Sequence, residues 1–210
     1  MGMPRWIHNI EEPNLGREKS VRKIIVFNLV TVDGFFAGPN GEIDWHNYDD
    51  EMGAYSLEQM KSLGALIFGR TTYELMESYW PTPDGAKSEP VVAGIMNNIP
   101  KVVFSKTLQK VKDGPLWKNV TVFHEIEPRE INKMKELEGG DMAIFGSGTI
   151  VQQFIDLGLI DEYRLIVNPL ILGNGKPLFE DTKSKSKLKL VKTRVFRNGN
   201  VLLCYQPTKD

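Results

Sequence analysis

Asp141–Phe179 reads DMAIFGSGTIVQQFIDLGLIDEYRLIVNPLILGNGKPLF. Met142-Ala143-Ile144-Phe145 is a short apolar run, and Gly146-Ser147-Gly148 breaks it. Ile150, Val151, Phe154, Ile155 and Leu157 then fall at helical spacing on one face. Gly158 stops that helix, as a glycine just past a helix end does. A second apolar run follows, Tyr163–Val167. Strand, glycine turn, helix, strand is the repeating unit of an α/β sheet. A glycine turn feeding a helix also leaves several N–H groups aimed at one spot, at the positive end of the helix dipole. The stretch therefore supports two readings. One is an anion cradle, as for a nucleotide phosphate. The other is a tight turn in which glycine simply fits.

Upstream the alternation repeats. Ile24-Ile25-Val26-Phe27, extending to Val30, has the continuous apolar character of a strand buried on both faces. Thr31–Asn47 lacks helical periodicity and carries Gly34, Gly38, Pro39 and Gly41; it is longer than a structural link requires, which points to a functional loop. A helix starts at Asp49 or Asp50 and runs to about Leu63, with Met52, Tyr55, Met60 and Leu63 inward. Ala65–Phe68 is a strand, and Gly69-Arg70-Thr71-Thr72 turns it into a helix ending near Trp80. Pro81–Pro90 reads as a loop and Val91–Asn98 as a short helix. Lys101–Phe104 and Val120–Phe123 are strands. Pro128 opens a helix at its favoured first turn, and Gly139-Gly140 closes it. The end differs: Lys187–Phe196 alternates lysine with apolar residues, Asn198-Gly199 is a hairpin turn, and Val201–Tyr205 returns. The expected fold is a single α/β domain over residues 22–207, with a mostly parallel central sheet, flanking helices and a C-terminal antiparallel hairpin. Residues 1–21 are a polar arm, either poorly ordered or docked on a partner subunit through Trp6 and Ile7.

With 210 residues, 41% hydrophobic and 25% charged, the chain is globular and long enough for a substantial core. A net charge of −1 gives no global argument for nucleic acid or an anionic membrane. The single cysteine, Cys204, excludes an internal disulfide and a Cys-based zinc site; it reads as a small core residue in a cytoplasmic protein. No apolar run approaches the ~20 residues that span a bilayer. Lys183, Lys185, Lys187, Lys189 and Lys192 fit the solvated face of an edge strand better than a nucleic-acid patch. His8, His46 and His124 lack metal-ligand spacing; His46, inside the long loop, is the one that suits a pocket.

Three strands end in turns able to hold an anion. Gly146-Ser147-Gly148-Thr149 is one. Gly69-Arg70-Thr71-Thr72 offers a guanidinium and two hydroxyls at a helix start. Phe104-Ser105-Lys106-Thr107 offers a hydroxyl and an ammonium. Ligands of open α/β sheets gather at the carboxyl ends of the strands, so three such turns on one edge suit one phosphate-bearing cofactor. The common dinucleotide fingerprint is missing: Val151 stands where its third glycine would be, and Asn168-Pro169 replaces the ribose-binding acid. Arg70 and Lys106 are free to take an extra phosphate, which favours NADPH over NADH.

Val32-Asp33-Gly34-Phe35-Phe36-Ala37, Gly69-Arg70-x-Thr72-Tyr73-Glu74, Val103-Phe104-Ser105-Lys106 and Phe145-Gly146-Ser147-Gly148 follow the order and spacing of the dihydrofolate reductase superfamily. With Leu170-Ile171-Leu172-Gly173-x-Gly175-x-Pro177-Leu178-Phe179, the chain resembles more closely the C-terminal reductase domain of bacterial bifunctional deaminase–reductases of riboflavin synthesis. The zinc-deaminase motifs of the bifunctional proteins are absent. The resemblance implies NADPH, hydride transfer and a homodimer. By analogy, Gly69, Arg70, Thr71 and Thr72 hold the phosphates and the adenosine end, while Ser105 and Lys106 meet the 2′-phosphate. Gly146, Ser147, Gly148 and Thr149 cradle the pyrophosphate. Leu29, Thr31 and Asp33 lie beside the nicotinamide, with Gly38 in a covering loop. Trp45 falls where a tryptophan closes the mobile loop, and Asp50 where an acid binds substrate and assists protonation. Asp50 is equally explained as a first-turn acid favoured by the helix dipole, and Asp33 as the cap of a turn.

The expected activity is NADPH-dependent reduction of a small molecule, a pteridine such as dihydrofolate or the ribosylaminopyrimidine of riboflavin synthesis. The alternative is a nucleotide-binding module of the same fold without turnover. Neither nucleic acid nor membrane is an expected partner.

Overall fold

Ile24–Thr31 (β1) is apolar on both faces and runs through the middle of the sheet, its first three residues fully buried. In the computed structural model, which describes residues 21–208 except 110, 112, 113 and 184, it is followed by Phe35–Ala37 (β2), Asp50–Ser62 (α1), Leu63–Gly69 (β3), Arg70–Tyr79 (α2), Pro83–Ser88 (α3) and Pro90–Asn98 (α4). Then come Lys101–Phe104 (β4), Val120–Phe123 (β5), Pro128–Glu136 (α5), Asp141–Ile144 (β6), Gly148–Asp156 (α6) and Glu162–Asn168 (β7). Lys176–Pro177 (β8), Leu188–Val195 (β9) and Val201–Pro207 (β10) complete the chain. The arm expected over residues 1–21, with Trp6 and Ile7, lies outside the described residues apart from Val21.

The main sheet has the order β5-β4-β3-β6-β1-β7-β10-β9. Every pair from β5 to β7 is parallel, and the last two are antiparallel. This is the mostly parallel sheet with a C-terminal antiparallel hairpin that the sequence pattern predicts. Gly199 turns the hairpin at φ 89°, a conformation that glycine adopts without strain. The lysine-bearing strand β9 is the outer edge and is exposed on both faces. Among the described residues, no helix is long and apolar enough to cross a membrane.

Packing follows the side-chain alternation. One face of the sheet buries Ile24, Val26, Ile67 and Ile144 against Ile131 and Met134 of α5 and Ile150, Val151 and Phe154 of α6. The other buries Leu66, Phe68 and Val103 against Tyr73 of α2 and Met96 of α4. Met52 and Tyr55 of α1 pack on Ile166, Leu202 and Phe196. Glu51, in the first turn of α1, ties that helix to the hairpin: it accepts hydrogen bonds from Arg194 Nη2 at 2.8 Å and the Arg197 N–H at 3.0 Å.

The structure departs from the sequence reading at two places. The Pro81–Pro90 loop contains helix α3, whose first turn is closed by the Thr82 hydroxyl accepting the Gly85 N–H at 3.2 Å. Inside the long loop, β2 pairs antiparallel with β8. Both strands are too short to show periodicity, and their pairing partner lies far along the chain.

Candidate active site

β3 and β6 are parallel neighbours, so their carboxyl ends, and the turns after them, lie side by side. The close approach is measurable. A Cβ added to Gly69 would meet Ser147 Oγ at 2.5 Å, and one added to Gly146 would meet Thr72 Oγ1 at 3.4 Å. Neither α2 nor α6 has a side-chain cap. The N–H groups of Ser147, Gly148 and Thr149 make no hydrogen bond to the described backbone, while Ile150 and Val151 N–H both donate to Ser147 O. Two positive helix ends therefore converge with open donors, which is the physical requirement of an anion site.

The turn is held in an unusual shape. Gly146 has φ 74°, and Ser147, which has a side chain, has φ 70°. The buried amide of Asn28, in the middle of β1, fixes it: oriented with its oxygen toward the turn, it accepts the Gly146 N–H at 3.0 Å and donates to Phe27 O at 3.3 Å. From the other side, β8 closes on Gly148, where a Cβ would lie 2.9 Å from Pro177 O and 3.3 Å from the Phe36 ring.

These turns form one end of a cleft of about 590 Å³. Its walls come from β1 (Phe27, Asn28, Leu29), the long loop and β2 (Phe36, Ile43, His46, Tyr48), α1, α2 and α4 (Met60, Met76, Met96), and Lys176 of β8. Of the residues expected to meet a cofactor, Leu29, Thr71, Thr72, Gly146, Ser147, Gly148 and Thr149 line it.

The others lie elsewhere. Arg70 is exposed, donates from Nη1 to Thr107 Oγ1 at 2.8 Å and pairs with Glu74 at 3.3 Å. Ser105 Oγ accepts the Leu108 N–H at 3.0 Å in a local turn, and Lys106 beside it is exposed. Both sit at the end of β4, next to β3, so they extend the same edge outward. Thr31 and Asp33 form a knot behind the cleft. The Thr31 hydroxyl donates to Asp33 at 2.6 Å, and Asp33 also accepts the Leu172 and Gly173 N–H groups at 3.2 and 2.7 Å. These hydrogen bonds, the Thr31 one foremost, hold the Asp33 carboxyl below its usual range. Gly38 is buried in a tight turn, donating to Glu42 O at 2.8 Å, with Glu42's side chain over it.

Asp50 is exposed in the first turn of α1 and does not line the cleft; it borders an adjoining depression that shares Tyr48, Gly53 and Glu89 with the cleft. Trp45 also stays out of the lining, its Nε1–H on Glu42 O at 3.2 Å. The Trp45 ring instead meets His46 edge-on, with centroids 4.6 Å apart. His46 faces the cleft, its Nε2 buried and without a hydrogen-bond partner. Burial pushes its pKa down to about 4, so the imidazole is neutral at physiological pH. The loop's far end is pinned by asparagines: Asn47 N–H donates to the fully buried Asn168 at 2.9 Å, and Asn47 and Asn198 exchange amide hydrogen bonds at 2.7 and 2.9 Å. Sequence reasoning passed over Asn28, although an amide interrupting a buried apolar strand was a usable signal.

A family model described as the RibD C-terminal domain matches residues 22–202. The chain belongs to the RibD C-terminal domain family. It is 35% identical over 184 residues to the uncharacterized protein YyaP of Bacillus subtilis, covering 88% of this chain and 94% of YyaP. It is 28% identical to YwjB of the same organism, covering 83% and 92%. The fold of this chain matches that of a putative riboflavin biosynthesis protein from Shewanella sp. PV-4, with a TM-score of 0.68 and 25% identity, over 89% of this chain and 99% of that one. A dihydrofolate reductase from Enterococcus faecalis, complexed with NADP(H) and RAB-propyl, shares the fold at a TM-score of 0.60 and 16% identity, over 89% and 97%.

Proposed function

We propose that the protein is an NADPH-dependent reductase of a flat C=N or C=O heterocycle, of the pteridine or aminopyrimidine kind. Membership of the RibD C-terminal domain family supports a reductase-type function. The observation that carries the cofactor is the meeting of two uncapped helix N-termini at neighbouring strand ends, in the wall of a cleft. Gly69 and Gly148 let the two turns and β8 pack closely, since a Cβ at either would lie within 3 Å of Ser147 Oγ or Pro177 O, and Gly146 adopts a backbone that disfavours a side chain. A phosphate would take the open N–H groups of Ser147–Thr149, with the hydroxyls of Thr71 and Thr72 also in the lining. Arg70 and Lys106 stand further along the edge for an additional phosphate.

Bound NADPH would supply the hydride. The chain's own part is to bind, orient and exclude water. Phe27, Leu29 and Phe36 give the cleft an apolar floor beside the turns. Asp50 has no place in this proposal beyond its favourable position at a helix N-terminus. Among the described residues Glu89 is the sole carboxylate of the lining, and it is exposed; a lining without a buried acid among those residues favours, as a second reading, a nucleotide-binding module without turnover.

Titration with NADPH and with NADH, read by tryptophan emission, tests the cofactor, because Trp80 lines the cleft. Quenching by NADPH at lower concentration than NADH is expected; no response to either overturns the proposal. Oxidation of NADPH on adding dihydrofolate or the ribosylaminopyrimidine supports the enzyme, and binding without oxidation selects the binding module.

A further inference from the structure

The cleft continues well beyond the two helix N-termini. From Thr72 to Trp80 along α2 it extends roughly 12 Å at the helical rise. That far part is walled by Met60, Met76, Trp80 and Met96, with Phe27 and Phe145 between it and the turns. They belong to one packed cluster, and the Phe27 and Phe145 rings meet tilted at 35° with centroids 5.4 Å apart. Thioethers and aromatic faces suit a flat conjugated ring.

The charges are equally informative. Among the described residues the lining holds one ammonium, Lys176, and one carboxylate, Glu89. Lys176 is on β8, the element that closes on Gly148; its Nζ lies over Gly41, and its charge acts on Glu42. It therefore belongs to the loop and turn end. Glu89 stands at the N-cap position of α4 with no side-chain cap hydrogen bond, so on the α4 side a phosphate would meet a like charge and no side-chain cation of the lining. A dianion set against apolar carbon without a paired cation is strongly disfavoured. Among the described residues of the lining, one buried side-chain polar atom has no hydrogen-bond partner, Nε2 of His46. Tyr48, by contrast, gives its hydroxyl proton to Ser56.

We propose that this far half takes an uncharged, unphosphorylated, flat heteroaromatic compound whose polar edge hydrogen-bonds His46 Nε2. The inference rests on the reductase reading and narrows it, setting the phosphoribosyl form of the aminopyrimidine aside.

The test compares 5-amino-6-(ribosylamino)uracil, its 5′-phosphate and 6,7-dimethyl-7,8-dihydropterin. Each is titrated calorimetrically into the protein alone and into NADPH-saturated protein. The dihydropterin should bind, and the phosphate should weaken binding of the ribosyl compound by about tenfold or more, from desolvation against the apolar wall. His46→Ala should weaken the dihydropterin by about tenfold, as losing a buried hydrogen bond does, with His46→Gln restoring part of it. Val92→Lys, a half-buried position on the same wall, should reverse the order of the two ribosyl compounds. The inference is overturned if the 5′-phosphate binds the wild-type protein as tightly as the unphosphorylated ribosyl compound, or if the dihydropterin fails to bind. Failure of NADPH to bind would instead overturn the reductase reading, while the measurements on the protein alone still decide what the wall accepts.

Discussion

Gly69, Gly148 and Gly53 all lie in or beside the cleft, yet substitution should affect them in opposite ways. A methyl at Gly69 would sit 2.5 Å from Ser147 Oγ, and one at Gly148 would sit 2.9 Å from Pro177 O. Gly69→Ala and Gly148→Ala should each displace the turn and weaken NADPH at least about tenfold, the scale of one or two lost backbone hydrogen bonds. Gly53 has nothing within 4 Å of its added Cβ and lies inside α1. Gly53→Ala should therefore stabilise the chain by about 0.5–1 kcal/mol, read from urea unfolding. His46 carries a pH signature. Its folded pKa of about 4 is below the ordinary 6.5 of an imidazole, so between those values the unfolded chain binds the extra proton. Stability associated with the neutral imidazole is full above pH 6.5 and is lost as pH falls toward 4. His46→Asn should flatten that part of the Tm–pH curve, and an unchanged slope would show that His46 is not buried as a neutral group.

At the scale of elements, adjacent acids of α1 do different work. Asp50 is exposed, whereas Glu51 holds Arg194 and the Arg197 backbone. Arg197's N–H, then Arg194's side chain, keep the Glu51 carboxyl below the usual range. Glu51→Gln should lower the urea midpoint by loosening α1 from the hairpin, while Asp50→Asn should change neither the midpoint nor NADPH oxidation. Nothing in Asp49-Asp50-Glu51 separates these fates, because the partners of Glu51 lie at residues 194–197. The long strands and α1, α2, α5 and α6 were legible because their periodicity is local. The glycine turns at Gly69 and Gly146 were legible as strand-to-helix turns for the same reason. α3 escaped because Thr82-Pro83 caps only six residues, and β2–β8 escaped because a strand of two or three residues has no pattern of its own. The Thr31–Asp33–Gly173 knot and the approach of Asn28 to Gly146 were invisible, since each joins segments more than a hundred residues apart.

Over the whole molecule, ligand binding and folding are linked. NADPH at about a hundredfold excess over its Kd should add about 2.7 kcal/mol to the folded state. For a chain of this size that is a rise in Tm of roughly 5–10 °C, and a Tm unchanged by NADPH would contradict the cofactor proposal. The homodimer expected from the resemblance is open to light scattering. A further consequence lies in the strand order. β1 pairs in the main sheet with β6 and β7, and β6 also joins β1 to β3. The first strand thus waits for residues 141–168 before it has any neighbour there. Pairings of such long sequence separation are slow to close. A fragment ending at residue 140 holds β1 apart from the β3–β4–β5 block, with apolar edges on both. Such a fragment should show no cooperative unfolding transition and should aggregate. During synthesis, the seam of the sheet is the last piece delivered to its centre, so the nascent chain depends on protection until most of it has left the ribosome.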